Sequence, residues 1–258
     1  MNWFREILSV ALGGLTARKV RTLLIMLGPV LGAAGIVAAV GLNESAKGDV
    51  RQTLEKLGTN LIVASADGTF SGGEAPTLPE EAVERAMNVS TVDRAAGITE
   101  IGSLTVLPSQ GGRDFFRTIP VPVLTSDQNL LNVLDAKMLY GRFINGADED
   151  NIFRSAVIGQ DLARDYQYLP GEARTIDVNG ETYGVVGVLE KVALVPKLDT
   201  AVIIPKSSAE EDFDVEQKPT TVYVRAAEGT VDSTSQALPV AINLGGPEGV
   251  VVAVPSDL

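Results

Sequence analysis

The sequence predicts an α+β body carried on one N-terminal membrane-spanning helix. Three observations carry this expectation. Thr22–Asn43 is a run of 22 residues without a charged side chain. The remainder alternates short apolar runs with turn residues, a pattern of many strands and several helices. Charge divides at the same place. Residues 1–43 hold four basic groups and one acid, while 17 basic and 32 acidic groups of the chain's 21 and 33 lie in 44–258.

A helix of that length reaches roughly 33 Å at 1.5 Å per residue, and the hydrocarbon core is about 30 Å thick. A soluble helix rarely runs so far without a charge. A cleaved signal peptide is the alternative, with small residues near Ala39-Val40-Gly41 as a cleavage site. The run is long for that, because signal h-regions hold about 7–15 residues. Arg18, Lys19 and Arg21 directly precede the span. The positive-inside rule then predicts a cytoplasmic N-terminus, with residues 44–258 extracytoplasmic.

Within the span, Gly28 and Gly32 form a GxxxG that Gly35 extends. Small residues at this spacing let a second helix approach closely, although apolar segments also carry the pattern by chance. Pro29 removes one backbone donor and favours a kink. Before the span, Trp3, Phe4, Ile7, Leu8, Ala11, Leu12 and Leu15 recur at steps of three and four. That spacing makes residues 1–21 an amphipathic helix, for the membrane interface or for a packing partner.

In the body, Asp49–Leu57 continues as helix and Leu61–Ala64 is a short strand. Asp67–Pro79 is rich in Gly, Pro and Ser and reads as a loop. Pro79-Glu80-Glu81 opens a helix, because proline suits the first turn and acids suit the positive helix end. Strands are expected at Ala95–Ile101, Ser103–Pro108 and Phe115–Leu124, with a short helix at Asn129–Leu134. Ser155–Gly159 is a strand, followed by a helix over Asp161–Tyr168. Asn179-Gly180 between apolar runs predicts a hairpin of Thr175–Val178 and Glu181–Leu189, because both residues tolerate positive φ. Val202–Ile204, Thr221–Arg225 and Val250–Val254 complete the strands, and Val231–Ile242 is a helix.

The chain contains no His and no Cys. That removes Ser-His-Asp and Cys-His catalysis, His/Cys zinc sites, disulfides and thiol redox chemistry. The net charge of −12 argues against nucleic acid as a partner. No P-loop and no dinucleotide fingerprint occurs. Asp148-Glu149-Asp150 lacks the spacing and glycine of a calcium loop and is expected to be a solvated turn. No catalytic, metal or cofactor site is expected, and the chain is read as a non-enzyme.

Two stretches carry a resemblance. Lys19–Gly28 (KVRTLLIMLG) and Leu57–Ile62 (LGTNLI) resemble the start of MacB/FtsX-type ABC transporter permeases. Gly141–Phe143 (GRF), Val157–Gly159 and the hairpin over Ile176–Val188 resemble the MacB periplasmic core domain. The resemblance implies 1–21 as a cytoplasmic interfacial helix, 22–43 as the span, and 44–258 as an extracytoplasmic core of two mixed α/β subdomains, the second roughly 140–215. It implies a permease component of an exporter in the cell membrane, with a separate ABC ATPase subunit and a homo- or heterodimeric permease partner. ATP hydrolysis in the cytoplasm would then move the outer domain. The family's permeases carry three further spans after this domain, which this chain is expected to obtain elsewhere. A single-span anchored regulator or scaffold of an envelope protein, as in the FtsX relatives, is the alternative.

Overall fold

The structure is a computed structural model that describes residues 27–29, 31–32, 60–68, 76–108, 120–168 and 174–255. The chain divides into two compact units, Met1–Thr53 and Leu54–Leu258. In the first, 27–29 and 31–32 are helical. Among the described residues no helix is long and apolar enough to cross a membrane. The remainder of the expected span, the expected interfacial helix and the expected helix Asp49–Leu57 lie outside the described residues.

Among the described residues, the second unit is built on one mixed sheet of ten strands. These are β1 (Leu61–Ala66), β2 (Val92–Pro108), β3 (Pro120–Ser126), β4 (Met138–Gly141), β5 (Ser155–Ile158), β6 (Thr175–Val178), β7 (Glu181–Leu189), β8 (Val202–Ile204), β9 (Thr221–Ala226) and β10 (Val250–Ala253). The helices are α1 (Ala82–Met87), α2 (Leu130–Leu134), α3 (Gly146–Asp150), α4 (Gln160–Asp165), α5 (Lys206–Phe213) and α6 (Val231–Ile242). The strand order is β10-β1-β9-β2-β3-β8-β5-β7-β4, and β6 pairs with both β2 and β7. The pairings β2-β3-β8-β5-β7-β6-β2 therefore close a six-stranded ring, and β10-β1-β9 extend β2 as an open half. Closure leaves the ring strands no free edge at the paired positions.

The two strands expected at 95–101 and 103–108 are one strand of 17 residues with a bulge between Glu100 and Gly102. The bulge adds one residue, so the parity of the side chains switches there. Ala96 and Ile98 belong to one core, while Val106 belongs to another inside the ring. This switch lets β2 serve both halves. Its early residues pair with β9, from Val92↔Ala226 to Ile98↔Thr221, and its last three pair with β6.

Three cores follow from the alternation of each strand. Val106, Val121, Val123, Ile158, Ile176, Val188 and Ile204 fill the ring. Ile62, Ala64, Val222 and Val224 pack under α1 and α6 through Ala82, Ala86, Leu238 and Ile242. On the opposite face, Leu61, Ala96, Ile98, Tyr223, Leu124, Val157 and Ile203 lie under α2 through Leu130, Val133 and Leu134. This last core spans both halves.

Most expected strands and helices lie within a few residues of their places. Asn179 and Gly180 have φ of 52° and 101° and close the β6–β7 hairpin. The start of the expected strand Phe115–Leu124 lies outside the described residues, and the pairing covers Pro120–Ser126. One expectation is corrected. Asp148-Glu149-Asp150 is not a solvated turn but part of α3, with Asp148 1% exposed. Its partner, Arg142, comes from a strand end outside the acidic run, so the run alone carries no sign of burial. β4 and α5 have no counterpart among the expected elements; both are short, and α5 has a mostly polar sequence.

Candidate functional site

An open groove of about 720 Å³ lies on the face of β2 opposite the shared core. Its walls come from five places in the chain, the segment Gln217–Pro219 before β9 among them. Glu80, Glu81 and Glu84 stand on the first turn of α1 and the residues leading into it. Gly97 and Thr99 of β2 form the floor. Asp127, Gln128 and Asn129 follow β3, and Lys206 opens α5. The sequence brings these together because β3 and β8 are parallel neighbours, in register at Thr125↔Ile204. The residues just past both strand ends then meet at one rim.

Asp127 organises the floor. Gly97 N–H donates to its Oδ2 at 2.6 Å, and Lys206 Nζ to its Oδ1 at 2.5 Å. Asp127 N–H in turn donates to Gly97 O at 3.0 Å. Lys206 is fixed further by its backbone. Its N–H and that of Ser207 donate to the two oxygens of Glu149 at 3.0 and 2.9 Å, which caps α5 with a carboxylate from α3. Gln217 Nε2 donates to Lys206 O at 2.8 Å, and Asn129 Nδ2 to Ala95 O at 2.7 Å. Arg85 pairs with Glu81 at 3.3 Å.

Chemically, the groove offers carboxylates, amides and one ammonium already committed to Asp127. Among the described residues no group of three or more Asp and Glu side chains is placed to hold a metal ion. The surface is suited to polar contacts.

Three ionic clusters elsewhere hold loops in place. Arg142 makes a bidentate pair with Asp148 at 2.5 and 2.8 Å. That guanidinium holds the Asp148 carboxyl below the ordinary range. Arg154 does the same for Asp212, which also accepts the Tyr183 hydroxyl at 2.6 Å. Burial, reinforced by that bond, pushes the Tyr183 phenol up. Arg225, 6% exposed, donates to Val133 O, Asp135 and Asn60 Oδ1, tying the start of β1 to the end of α2.

The first and last strands of the domain are adjacent. β1 pairs β10 antiparallel from Val63↔Ala253 to Ala66↔Val250, so Asn60 and Val254 lie at one end of the open half. Of the residues singled out in the sequence, Gly28 and Gly32 are helical. Gly35, Arg18, Lys19 and Arg21 lie outside the described residues. The groove is not legible in the sequence. Its one signal is the acidic helix start at Pro79-Glu80-Glu81, which reads equally as dipole compensation.

Residues 22–239 match the family described as MacB-like periplasmic core domain. The chain is 27% identical over 245 residues to the macrolide export ATP-binding/permease protein MacB of Rhodospirillum rubrum, an alignment covering 91% of this chain and 36% of that protein. It is 27% identical over 232 residues to the pyoverdine export ATP-binding/permease protein PvdT of Pseudomonas syringae, covering 85% and 33%. The chain thus spans about a third of the length of these curated relatives. Among solved structures, the periplasmic region of MacB from Actinobacillus actinomycetemcomitans superposes with a TM-score of 0.60 at 14% identity, covering 81% of this chain and 95% of that one. The extracellular domain of the noncanonic ABC-type transporter YknZ from Gram-positive bacteria gives 0.57 at 15%, covering 75% and 100%. At such identities these two likenesses speak for the fold alone, and the match across 22–239 speaks for descent: the chain belongs to the MacB-like periplasmic core domain family.

Proposed function

We propose that the chain is the membrane permease component of a MacB-type ABC exporter, working with a separate ATPase and a second permease copy or homologue. Residues 22–43 span the cell membrane with the N-terminus in the cytoplasm, and the domain from residue 44 onward lies outside. The first 21 residues form the interfacial helix on the cytoplasmic side. The second subdomain, roughly 140–215, supplies β5 to β8 of the ring. The chain is not itself an enzyme: ATP is hydrolysed by the partner, and the outer domain moves in response.

One observation carries this reading. The family match begins at residue 22, the first residue of the uncharged run, and continues through the domain to 239. The uncharged run and the domain are thus matched as one unit, which supports reading that run as the family's first span. The pairing of β1 with β10 and β9 supports it, because force delivered at Asn60 enters a strand hydrogen-bonded on both sides rather than a loop.

Affinity purification from the native membrane tests the proposal. In mild detergent the tagged chain should retain an ABC ATPase, and the complex should hydrolyse ATP where the chain alone does not. Retention of a cell-wall hydrolase without any ATPase would replace this reading with that of an anchored regulator.

A further inference from the structure

The chain holds two Asn-Gly pairs, Asn145-Gly146 and Asn179-Gly180. Asparagine is thermolabile, and most so before glycine, where no Cβ hinders the following nitrogen. That nitrogen gives its proton to water and bonds to the Asn Cγ, while the side-chain amide leaves as ammonia. The cyclic imide then takes up one water at either of its carbonyls and opens to aspartate or to isoaspartate. As dipeptides the two pairs are equivalent, and both asparagines are exposed. Their hydrogen bonds set them apart.

At Asn145 the electrophile is held. Its Oδ1 caps α3, accepting from Ala147 N–H at 2.9 Å and Asp148 N–H at 3.3 Å, and its own N–H donates to Asp148 Oδ2 at 2.9 Å. Swinging Cγ onto the Gly146 nitrogen breaks that cap, a loss equivalent to about fivefold in rate. Asn179 stands at the tip of the β6–β7 hairpin, just past the pair Val178↔Glu181. Among the described residues no hydrogen bond holds its side chain, and a Cβ built on Gly180 would meet no atom within 4 Å, so the pair is open to water. Here the restraint is on the nucleophile. Gly180 N–H donates to Asp177 Oδ1 at 2.9 Å, in an exposed bond. A carboxylate in that place favours the protonated amide and opposes its deprotonation.

We infer that Asn179 is a spontaneous deamidation site of the folded domain, that the cap on α3 protects Asn145, and that Asp177 is the brake at 179. The position gives the reaction a consequence. β6 pairs both β2 and β7 and so closes the ring, with Ile176, Val178 and Tyr183 in its core. Asn179 N–H also donates to Thr105 O of β2 at 2.8 Å. Isoaspartate routes the backbone through the side chain and lengthens the turn by one carbon, which strains the closing pair. The site is independent of the transport reading.

The full chain, purified in mild detergent, is held in neutral, ammonia-free buffer, and each asparagine is followed by peptide mapping with mass spectrometry. In the folded chain, position 179 should convert about fivefold faster than 145. In strong urea the cap and the Asp177 bond are gone, and the two rates should converge. Asp177→Ala should raise the rate at 179 about threefold and leave 145 unchanged. Melting curves show whether that variant is folded. If it is not, Asp177→Asn, which keeps the side-chain shape and removes the charge, decides by the same rise. Equal rates in the folded chain, a faster 145, or a gap that persists in urea overturns the assignment of the site. A rate at 179 that the Asp177 variant lowers or leaves unchanged overturns the role of the carboxylate.

Discussion

Asp148 shows how one residue can hold a motif. Its side chain accepts both Arg142 nitrogens and Asn145 N–H, at 2.5, 2.8 and 2.9 Å, so every bond reaches back to the turn that begins Gly141-Arg142-Phe143. Asn145 Oδ1 accepts in return from Ala147 and Asp148, completing a capping box on α3. Arg142 raises no barrier to this, because its charge is itself stabilised by the pair. Asp148→Asn keeps the shape but leaves the guanidinium without its counter-charge. The expected cost is about 2–3 kcal/mol at neutral pH, discounted from the fully buried case because Arg142 is 47% exposed. The sign with pH follows from the depressed carboxyl. Its contribution is complete above the ordinary carboxylate pKa near 3.8 and is lost as pH falls through the lower folded value. Urea midpoints should therefore differ widely between wild type and variant at pH 7 and converge as pH falls below 3.8. A gap independent of pH would show that packing, not the ion pair, is responsible.

At the scale of elements, the two glycines of the family-like motifs turn out to meet each other. Gly141 at the end of β4 has φ +71°, and a Cβ there would lie 2.1 Å from Val186 O. A Cβ on Gly187 of β7 would lie 2.2 Å from Arg142 O and 2.5 Å from Met138 Cε. β4 pairs β7 at Gly141↔Gly187, and Arg142 N–H donates to Val186 O at 3.1 Å. The two backbones thus touch where any side chain would separate them. Gly187→Ala should cost about 2 kcal/mol, because the obstructing atoms are mostly backbone and cannot yield. In a domain of this size that lowers Tm by roughly 4–8 °C. An unchanged melting temperature would mean that β4 can detach from β7 without loss.

The same elements show what is legible in the sequence. Alternation locates β6 through Ile176 and Val178, short apolar runs locate β7, β8 and β9, and Asn179-Gly180 marks the hairpin. α6 is visible through Thr234, Leu238 and Ile242, which recur every fourth position on its buried side. β4 is hidden because Leu139, Tyr140 and Gly141 are exposed, so no alternation marks it. α5 is hidden because Lys206–Phe213 carries few apolar residues and takes its N-terminal support from Glu149, 57 residues away. The joint in β2 reads as a break between two strands at Gly102, whereas the ladder continues through it by one inserted residue. The groove is hidden for a related reason. Its carboxylates and its lysine come from segments that meet only through the parallel pairing of β3 with β8.

For the whole molecule, charge and the point where the chain joins the domain set the expected orientation. The body carries an excess of acids, while the four basic groups of residues 1–43 gather mostly at Arg18–Arg21. Keeping that cluster on the cytoplasmic side is the arrangement the positive-inside rule favours, whatever the charge of the body. Asn60 and Val254 lie at one end of the open half, and the turn after α6 lies at the other, because β10 begins there at Val250 opposite Ala66. Glu248, exposed in that turn, is then at the opposite end of the ladder from the point where the chain enters it. The absence of native thiols makes the orientation directly readable. A cysteine placed at Glu248 should react with a membrane-impermeant maleimide in cells whose inner membrane is intact. One placed at Ser9, on the expected interfacial helix, should react only after that membrane is opened. The reverse pattern would put the acidic domain in the cytoplasm, against the placement of Arg18, Lys19 and Arg21. It would leave an exporter's outer domain no place to act.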